Sequence, residues 1–275
     1  MHAILYICRA GHVRRPIAKR AMGHAAAAAP LRLAYSTRAG WPSAAGAHIA
    51  VLDSSFNPPS RAHLALATLT NGGREFDAHL LIYSVRNADK GLGSGASLAA
   101  RTDMMTCFAK DIEATLRARS PSYEPNVAVA LVDEPLVFAK STLVHAFLGN
   151  APHLYWVVGS DTITRVFQQK YYPSLDALKA SSERFFGQEG SSMVCVDRPA
   201  QGTHDDALDE LFRTNEVARA WLDARKIELR TIDPDTVRFS STAVRTAIAS
   251  GDTQSATRML SPAVASYLAT HPLYT

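Results

Sequence analysis

The sequence predicts an α/β fold: one domain built on a doubly wound parallel sheet with helices on both faces and further helices toward the C-terminus. Three observations carry this expectation. Six short apolar runs rich in β-branched residues recur along the chain, amphipathic stretches of helical spacing separate them, and no two-residue hairpin turn joins one run to the next. Strands that must cross over through helices run parallel and are buried on both faces.

The first run, HIAVLD at 48-53, is continuously apolar, as a strand covered on both sides should be. Ser60 can cap a helix reaching about residue 70, with Leu64, Ala65, Ala67 and Leu69 as its expected buried positions and Gly72 as its stop. A strand at 79-85, a Gly-rich loop at 91-95 and a long helix over 98-118 follow. Next come a strand at 126-132, a helix at 141-148 and a strand at 154-159. A short helix is expected after Asp161, and residues 181-191 (SSERFFGQEGS) read as a mobile surface loop. Strands at 192-197 and 226-232 flank a helix over 205-224, and two or three helices finish the chain.

A chain of 275 residues can bury a full core without a disulfide or metal staple. Cys8, Cys107 and Cys195 are scattered, with no CxxC pair and no histidines at ligand spacing, which argues against a disulfide framework and a zinc site and for a reducing compartment. The net charge of +4 does not indicate a nucleic-acid partner. Seven of the 29 Arg and Lys residues fall in residues 1-52, which hold none of the 25 Asp and Glu, so the rest of the chain is mildly acidic. No window approaches the ~18 to 20 apolar residues of a membrane span, so no membrane partner is expected. Residues 1-46 are rich in Ala, Arg and Ser and resemble a mitochondrial transit peptide in composition; a disordered extension or a misplaced start codon are the alternatives. Localisation is thus expected to be mitochondrial if the leader targets, and cytoplasmic or nuclear otherwise, with the folded domain at 47-275.

The segment DSSFNPPSRAH (53-63) lies at the end of the first strand and the start of the first helix, where doubly wound sheets bind ligands. Free amide groups and the helix dipole favour an anion there. Ser54, Ser55, Phe56 and Ser60 belong to this turn, His63 falls in the helix's first turn, and Pro58 and Pro59 stiffen the approach. Far along the chain, RFSSTAVR (238-245) repeats the arrangement. Ser240 or Ser241 can cap a helix, Thr242 can hold phosphate oxygens, and Arg245 can bridge them with its planar fork. Either segment alone could be an ordinary turn with a surface histidine or arginine; two such anion sites in one chain point to a polyphosphate. Lys90 is a candidate second cation, against the equal reading of a solvated loop lysine. Asp161, after Gly159, can accept a ribose hydroxyl or cap a helix, Arg198 can bind phosphate or lie idle on the surface, and Trp156 reads as core.

Together SSFNPPSRAH (54-63) and FSSTAVR (239-245) resemble the two motifs of the nicotinamide mononucleotide adenylyltransferases, of the nucleotidyltransferase α/β phosphodiesterase superfamily. The DSSFNPP opening is most similar to the fungal-type branch. GSD at 159-161 resembles the family's contact to the adenosine end of ATP, and LSPAVASYLATHPLY (260-274) its closing helix. Three positions depart from the pattern: Ser54 stands where the family has glycine, Ser60 replaces the first His or Thr of its H-x-G-H element, and Phe138 is the only aromatic in 132-142, where many relatives carry two tryptophans.

The resemblance implies a Rossmann-like nucleotidylyltransferase fold and transfer of AMP from ATP to nicotinamide or nicotinate mononucleotide, giving NAD or deamido-NAD and pyrophosphate. It implies His63, Arg245 and Lys90 as catalytic residues, and Ser54, Ser55, Phe56, Ser60, Gly159, Asp161, Ser241 and Thr242 as nucleotide-binding. Mg²⁺ would be held mainly by the ATP phosphates and water, and ATP and a mononucleotide are the expected partners, with a homo-oligomer admitted. Two other readings stay open. One is an adenylyl- or cytidylyltransferase acting on another phosphorylated acceptor, such as phosphopantetheine or glycerol phosphate. The other is a nucleotide-binding protein of reduced activity, which Ser54 favours.

Overall fold

A computed structural model describes residues 30-42, 44-84, 86-87, 91-92, 96-149, 152-197 and 206-274. In chain order the elements begin with β1 (Leu31–Ser36), β2 (His48–Asp53), α1 (Arg61–Ala67), β3 (Ala78–Ser84), β4 (Arg86–Asn87), β5 (Gly91–Leu92), α2 (Leu98–Arg119) and β6 (Val127–Val132). They continue with α3 (Val137–Leu148), β7 (His153–Gly159), α4 (Ser160–Val166), α5 (Leu175–Glu183), β8 (Ser192–Val196), α6 (Asp206–Thr214), α7 (Glu216–Asp223) and β9 (Ile227–Arg230). Four helices close the chain: α8 (Pro234–Val237), α9 (Ser241–Ala249), α10 (Thr253–Met259) and α11 (Pro262–Thr270).

Seven strands form one sheet in the order β1-β6-β3-β2-β7-β8-β9, while β4 and β5 pair separately. The six strands from β2 onward are mutually parallel, as their unbroken apolar runs require, and every residue of β6 is buried. Alternate side chains feed two cores. Ile49, Val51, Leu80, Ile82, Ala130 and Trp156 face one way, toward α3 to α7. Leu52, Leu81, Tyr83, Val129 and Val157 face the other, toward α1, α2, α9 and α11. The chain reverses its direction of growth at β2, which pairs with β3 on one side and β7 on the other. This is the switch point, and the crevice beyond the carboxyl ends of β2 and β7 is where such a sheet receives ligands.

Several expectations need correction. The folded unit does not start at residue 47. β1, from within the expected leader, pairs antiparallel with β6 along the sheet edge, and Trp41 is buried with its indole Nε1 donating to the Asn126 carbonyl at 3.3 Å. The acid-free composition hid a strand because LRLAYS pairs with a partner nearly a hundred residues away. The segment 181-191, expected as a mobile surface loop, is instead largely helical and partly buried. α5 runs on into a π-helical turn at Arg184–Gln188, and both Phe185 and Phe186 are fully buried, 4.6 Å apart between ring centres. The glycines that suggested a loop serve a widened turn and its exit.

In α1 the buried residues are Ala62, His63, Leu66 and Ala67, so Leu64, Ala65 and Leu69 lie on its flank, and the helix ends at Thr68, before Gly72. The helix expected at 141-148 starts earlier, at Val137, and closes at Gly149, whose φ of +68° suits a left-handed cap. The stretch 205-224 is two helices divided at Asn215, whose side chain accepts from the Ala218 amide at 3.0 Å and so restarts the second. Residues Gly91 and Leu92 of the expected Gly-rich loop belong to β5.

Candidate active site

The phosphate-binding expectation rests on the turn that leaves β2. Ser54 extends that strand, its amide donating to the Ile82 carbonyl at 3.2 Å. At Phe56 the chain takes a positive φ of 44°, and the Asn57–Pro58 bond is cis. A left-handed phenylalanine is tolerated here because its ring is wholly buried, 5.1 Å from the His63 ring and 5.8 Å from Phe108. The side chain of Phe56 is thus an anchor, and only its backbone can reach a ligand. Ser55, beside it, is exposed.

His63 is fixed at both ring nitrogens. Nδ1 accepts from the Ser60 amide at 3.1 Å and lies 2.9 Å from the Ser60 hydroxyl, while Nε2 lies 3.1 Å from the Ser54 hydroxyl. A ring nitrogen that accepts an amide hydrogen carries no proton, so in the neutral ring the proton sits on Nε2, toward Ser54. Ser60, fully buried, therefore sets the imidazole's orientation, which is what a hydroxyl in the place of the family's first histidine can do. Ser54, at the family's glycine position, presents the acceptor.

The second motif clamps the first. Ser240 caps α9 by accepting from the Ala243 amide at 3.1 Å, which leaves Ser241 to donate to the Pro58 carbonyl at 2.8 Å. Arg245 donates through Nη1 to the Asn57 carbonyl at 2.7 Å and through Nη2 to Thr242 Oγ1 at 3.3 Å, and Thr242 is exposed beside them. Tyr274 adds a third tie, its hydroxyl donating to Asn57 Oδ1 at 2.6 Å. Burial pushes that phenol up to about 12, so it remains a donor at any ordinary pH. Two segments about 180 residues apart, together with the chain's last turn, thus converge on the loop of residues 54 to 60.

Gly159 ends β7 and precedes α4; Asp161 is exposed in that helix's first turn. Since Leu52 pairs with Val157, Ser54 and Gly159 each stand two residues past a paired position, on opposite sides of the switch point. Trp156 is fully buried against Phe185, as expected of a core residue. Phe138 is also core, only 3% exposed and ringed by Phe167, Phe185 and Phe186. Lys90 and Arg198 lie outside the described residues.

Sequence reasoning passed over three further features. Lys140, on α3, forms an ion pair with Asp53 at the end of β2, both side chains being less than a tenth exposed. Such a pair is held by geometry and is costly to break from one side. A lysine as the sole charge in the stretch VFAKSTLV was the available signal. Arg101, in the first turn of α2, donates to the Ser55 carbonyl at 2.7 Å, and nothing in the sequence pairs it with that loop. The third is Asn57, whose carbonyl accepts from Arg245 and whose Oδ1 accepts from Tyr274. Among the described residues no three His, Cys, Asp or Glu side chains converge to hold a metal, and no helix is long and apolar enough to cross a membrane.

A doubly wound sheet with a histidine-bearing turn at its switch point, locked by a distant serine-threonine-arginine helix start, defines the chain as a nucleotidyltransferase. The chain is 30% identical over 220 residues to a Schizosaccharomyces pombe protein named "Putative nicotinamide mononucleotide adenylyltransferase", covering 77% of this chain and 80% of that one. It belongs to the nicotinamide mononucleotide adenylyltransferase family. Among solved structures it resembles the Plasmodium falciparum nicotinic acid mononucleotide adenylyltransferase, in complex with NaAD (TM-score 0.55) and with APC (TM-score 0.53). In each comparison the identity is 14%, with 83% of this chain and 97% of the other covered, which is a likeness of fold. No model of a known protein family matches the chain.

Proposed function

We propose that the chain transfers AMP from ATP to the 5'-phosphate of nicotinamide mononucleotide, releasing pyrophosphate and forming NAD, with nicotinate mononucleotide as the related acceptor. The observation that carries this reading is the docking of the two motifs on one loop: Ser241 and Arg245 hold the carbonyls of Pro58 and Asn57, and Ser60 and Ser54 hold His63. The family relationship supports nicotinamide mononucleotide as acceptor, and the NaAD-bound neighbour keeps nicotinate mononucleotide beside it.

In this reading ATP enters as its magnesium complex, the ion held mainly by phosphate oxygens and water. An oxygen of the acceptor phosphate attacks the α-phosphorus in line, the bond to the bridging oxygen breaks, and that oxygen leaves with pyrophosphate. No side chain needs to be a nucleophile; the protein positions the two phosphates and offsets developing charge. His63 donates from Nε2 to an α-phosphate oxygen once that oxygen replaces the Ser54 hydroxyl as its acceptor. Arg245, with Thr242 beside it, faces the departing phosphates, and the Ser60 amide keeps the imidazole in its donor tautomer. Asp161 is assigned to a ribose hydroxyl and Lys90 to a phosphate.

The test is incubation of the purified chain with ATP, Mg²⁺ and, separately, nicotinamide mononucleotide, nicotinate mononucleotide, phosphopantetheine and glycerol phosphate, with products read by mass spectrometry. NAD or deamido-NAD with equimolar pyrophosphate is the expected result. A different nucleotidylated product would move the acceptor, and ATP binding without any product would replace the enzyme reading with a binding one.

A further inference from the structure

The loop of residues 54 to 60 is gripped by arginines from two sides, and the mechanism above uses only one. Arg101 lies over the Tyr83 ring, 5.1 Å from guanidinium carbon to ring centre. The guanidinium's only hydrogen bond among the described residues runs from Nη2 to the Ser55 carbonyl, and its buried Nε has no hydrogen-bond partner. No carboxylate among the described residues pairs with it, and the titratable groups that bear on it, Tyr83 and Tyr274, are phenols raised by burial and so uncharged at ordinary pH. Burial accordingly lowers its pKa from the ordinary arginine value.

A half-buried guanidinium without a counter-charge is costly, since the protein has removed part of its water and returned no anion. Where arginines do pair with carboxylates the contact is often well exposed, as in Arg38 with Glu124 and Arg213 with Glu210. Arg101 is also held stiffly, by the aromatic face beneath it and by one bond to the loop, so its remaining N–H groups keep a fixed direction.

The position of Arg101 in the sheet indicates which anion it awaits. Tyr83 lies at the carboxyl end of β3, on one side of β2; Gly159 and Asp161 lie at the carboxyl end of β7, on the other. If the adenosine of ATP lies over β7, as proposed above, the second substrate approaches over β3, and its phosphate meets the loop at Ser55. We infer that Arg101 binds the 5'-phosphate of the acceptor mononucleotide and thereby selects a phosphorylated acceptor over the bare nucleoside. This rests on the proposed reaction for the identity of the acceptor, but its test does not require turnover.

The experiment is calorimetric titration of the full chain, wild type and Arg101→Gln, with nicotinamide mononucleotide, with nicotinamide riboside, and with ATP and Mg²⁺. The wild type should bind the mononucleotide at least about tenfold more tightly than the riboside, the scale of a charge-assisted contact to phosphate. In Arg101→Gln that preference should shrink to about threefold or less, with ATP affinity held within about twofold. An undiminished preference, or an equal loss of ATP affinity, would overturn the assignment. Arg101→Lys, which keeps the charge but loses the fork, should fall between the two and serves if the glutamine variant does not fold. Failure of both variants to fold would make Arg101 a structural residue and would also overturn it. A wild type that forms no NAD yet loses phosphate preference in Arg101→Gln would sink the proposed reaction and leave the phosphate site standing.

Discussion

At the scale of single residues, the imidazole of His63 and that of His79 show how differently one side chain can be used. His63 is fully engaged at the mouth of the site, so His63→Ala should lower kcat by at least about a hundredfold, the loss typical of a transition-state hydrogen bond, with the far-UV circular dichroism spectrum unchanged. A rate near wild type would remove it from the reaction. His79, on β3, is 1% exposed. Burial, opposed only in part by nearby Glu75, lowers its pKa to about 4. The unfolded chain binds a proton near pH 6.5 that the folded chain refuses until about pH 4, so stability is whole above 6.5 and drains away as pH falls through that window. The loss reaches about 3 kcal/mol. Denaturant titrations of His79→Leu between pH 7 and 4 should show a shallower decline than wild type by about that amount. Identical pH profiles would mean that His79 takes up its proton in the folded state.

At the scale of elements, the parallel strands were legible in the sequence because burial on both faces leaves an uninterrupted apolar run, as in β6. The two motifs were legible as hydroxyls, an imidazole and an arginine at helix starts, and the structure brings both onto the loop of residues 54 to 60. What escaped was set by distant packing. β1 is polar enough to pass for a leader until β6 completes it, and the aromatics at 185 and 186 hide in a glycine-bearing segment that only a π-turn folds inward. The lysine of the Asp53 pair and the arginine beneath Ser55 lie on helices whose approach to the loop no spacing encodes. Helix α11 illustrates the same dependence. Its start is capped from α2 by Asp111, whose two oxygens accept from the Ala263 amide at 3.0 and 3.1 Å, and burial raises that carboxyl's pKa above the usual range. Asp111→Ala should cost about 1 to 2 kcal/mol in chemical denaturation, as lost caps do. It should also weaken ATP binding, since α11 leads to Tyr274; an unaltered affinity would separate the closing helix from the site.

At the scale of the whole molecule, the sheet edge and the site depend on opposite ends of the chain. Removal of residues 1-46 takes away β1, the buried Leu31 and Trp41, and the hydroxyls of Tyr35 and Thr37 that hold Glu113 on α2 at 3.1 and 2.7 Å. The thermal midpoint should fall by roughly 10 °C or more, as removal of several kcal/mol from a chain of this size implies. A midpoint within a few degrees of the full chain would mean that β1 contributes little. The closing segment has a different consequence. Because Asn57 is held by Arg245 and Tyr274, the loop depends on helices that pack on one face of the sheet, the last of them capped from α2. Local opening of α9 to α11 can therefore dismantle the site while the strands stay paired, and the free energy of that opening is smaller than that of global unfolding. Nucleotide held by this loop must slow amide exchange in those helices before it slows exchange in the sheet, so occupancy of the site is written first in the last forty residues of the chain.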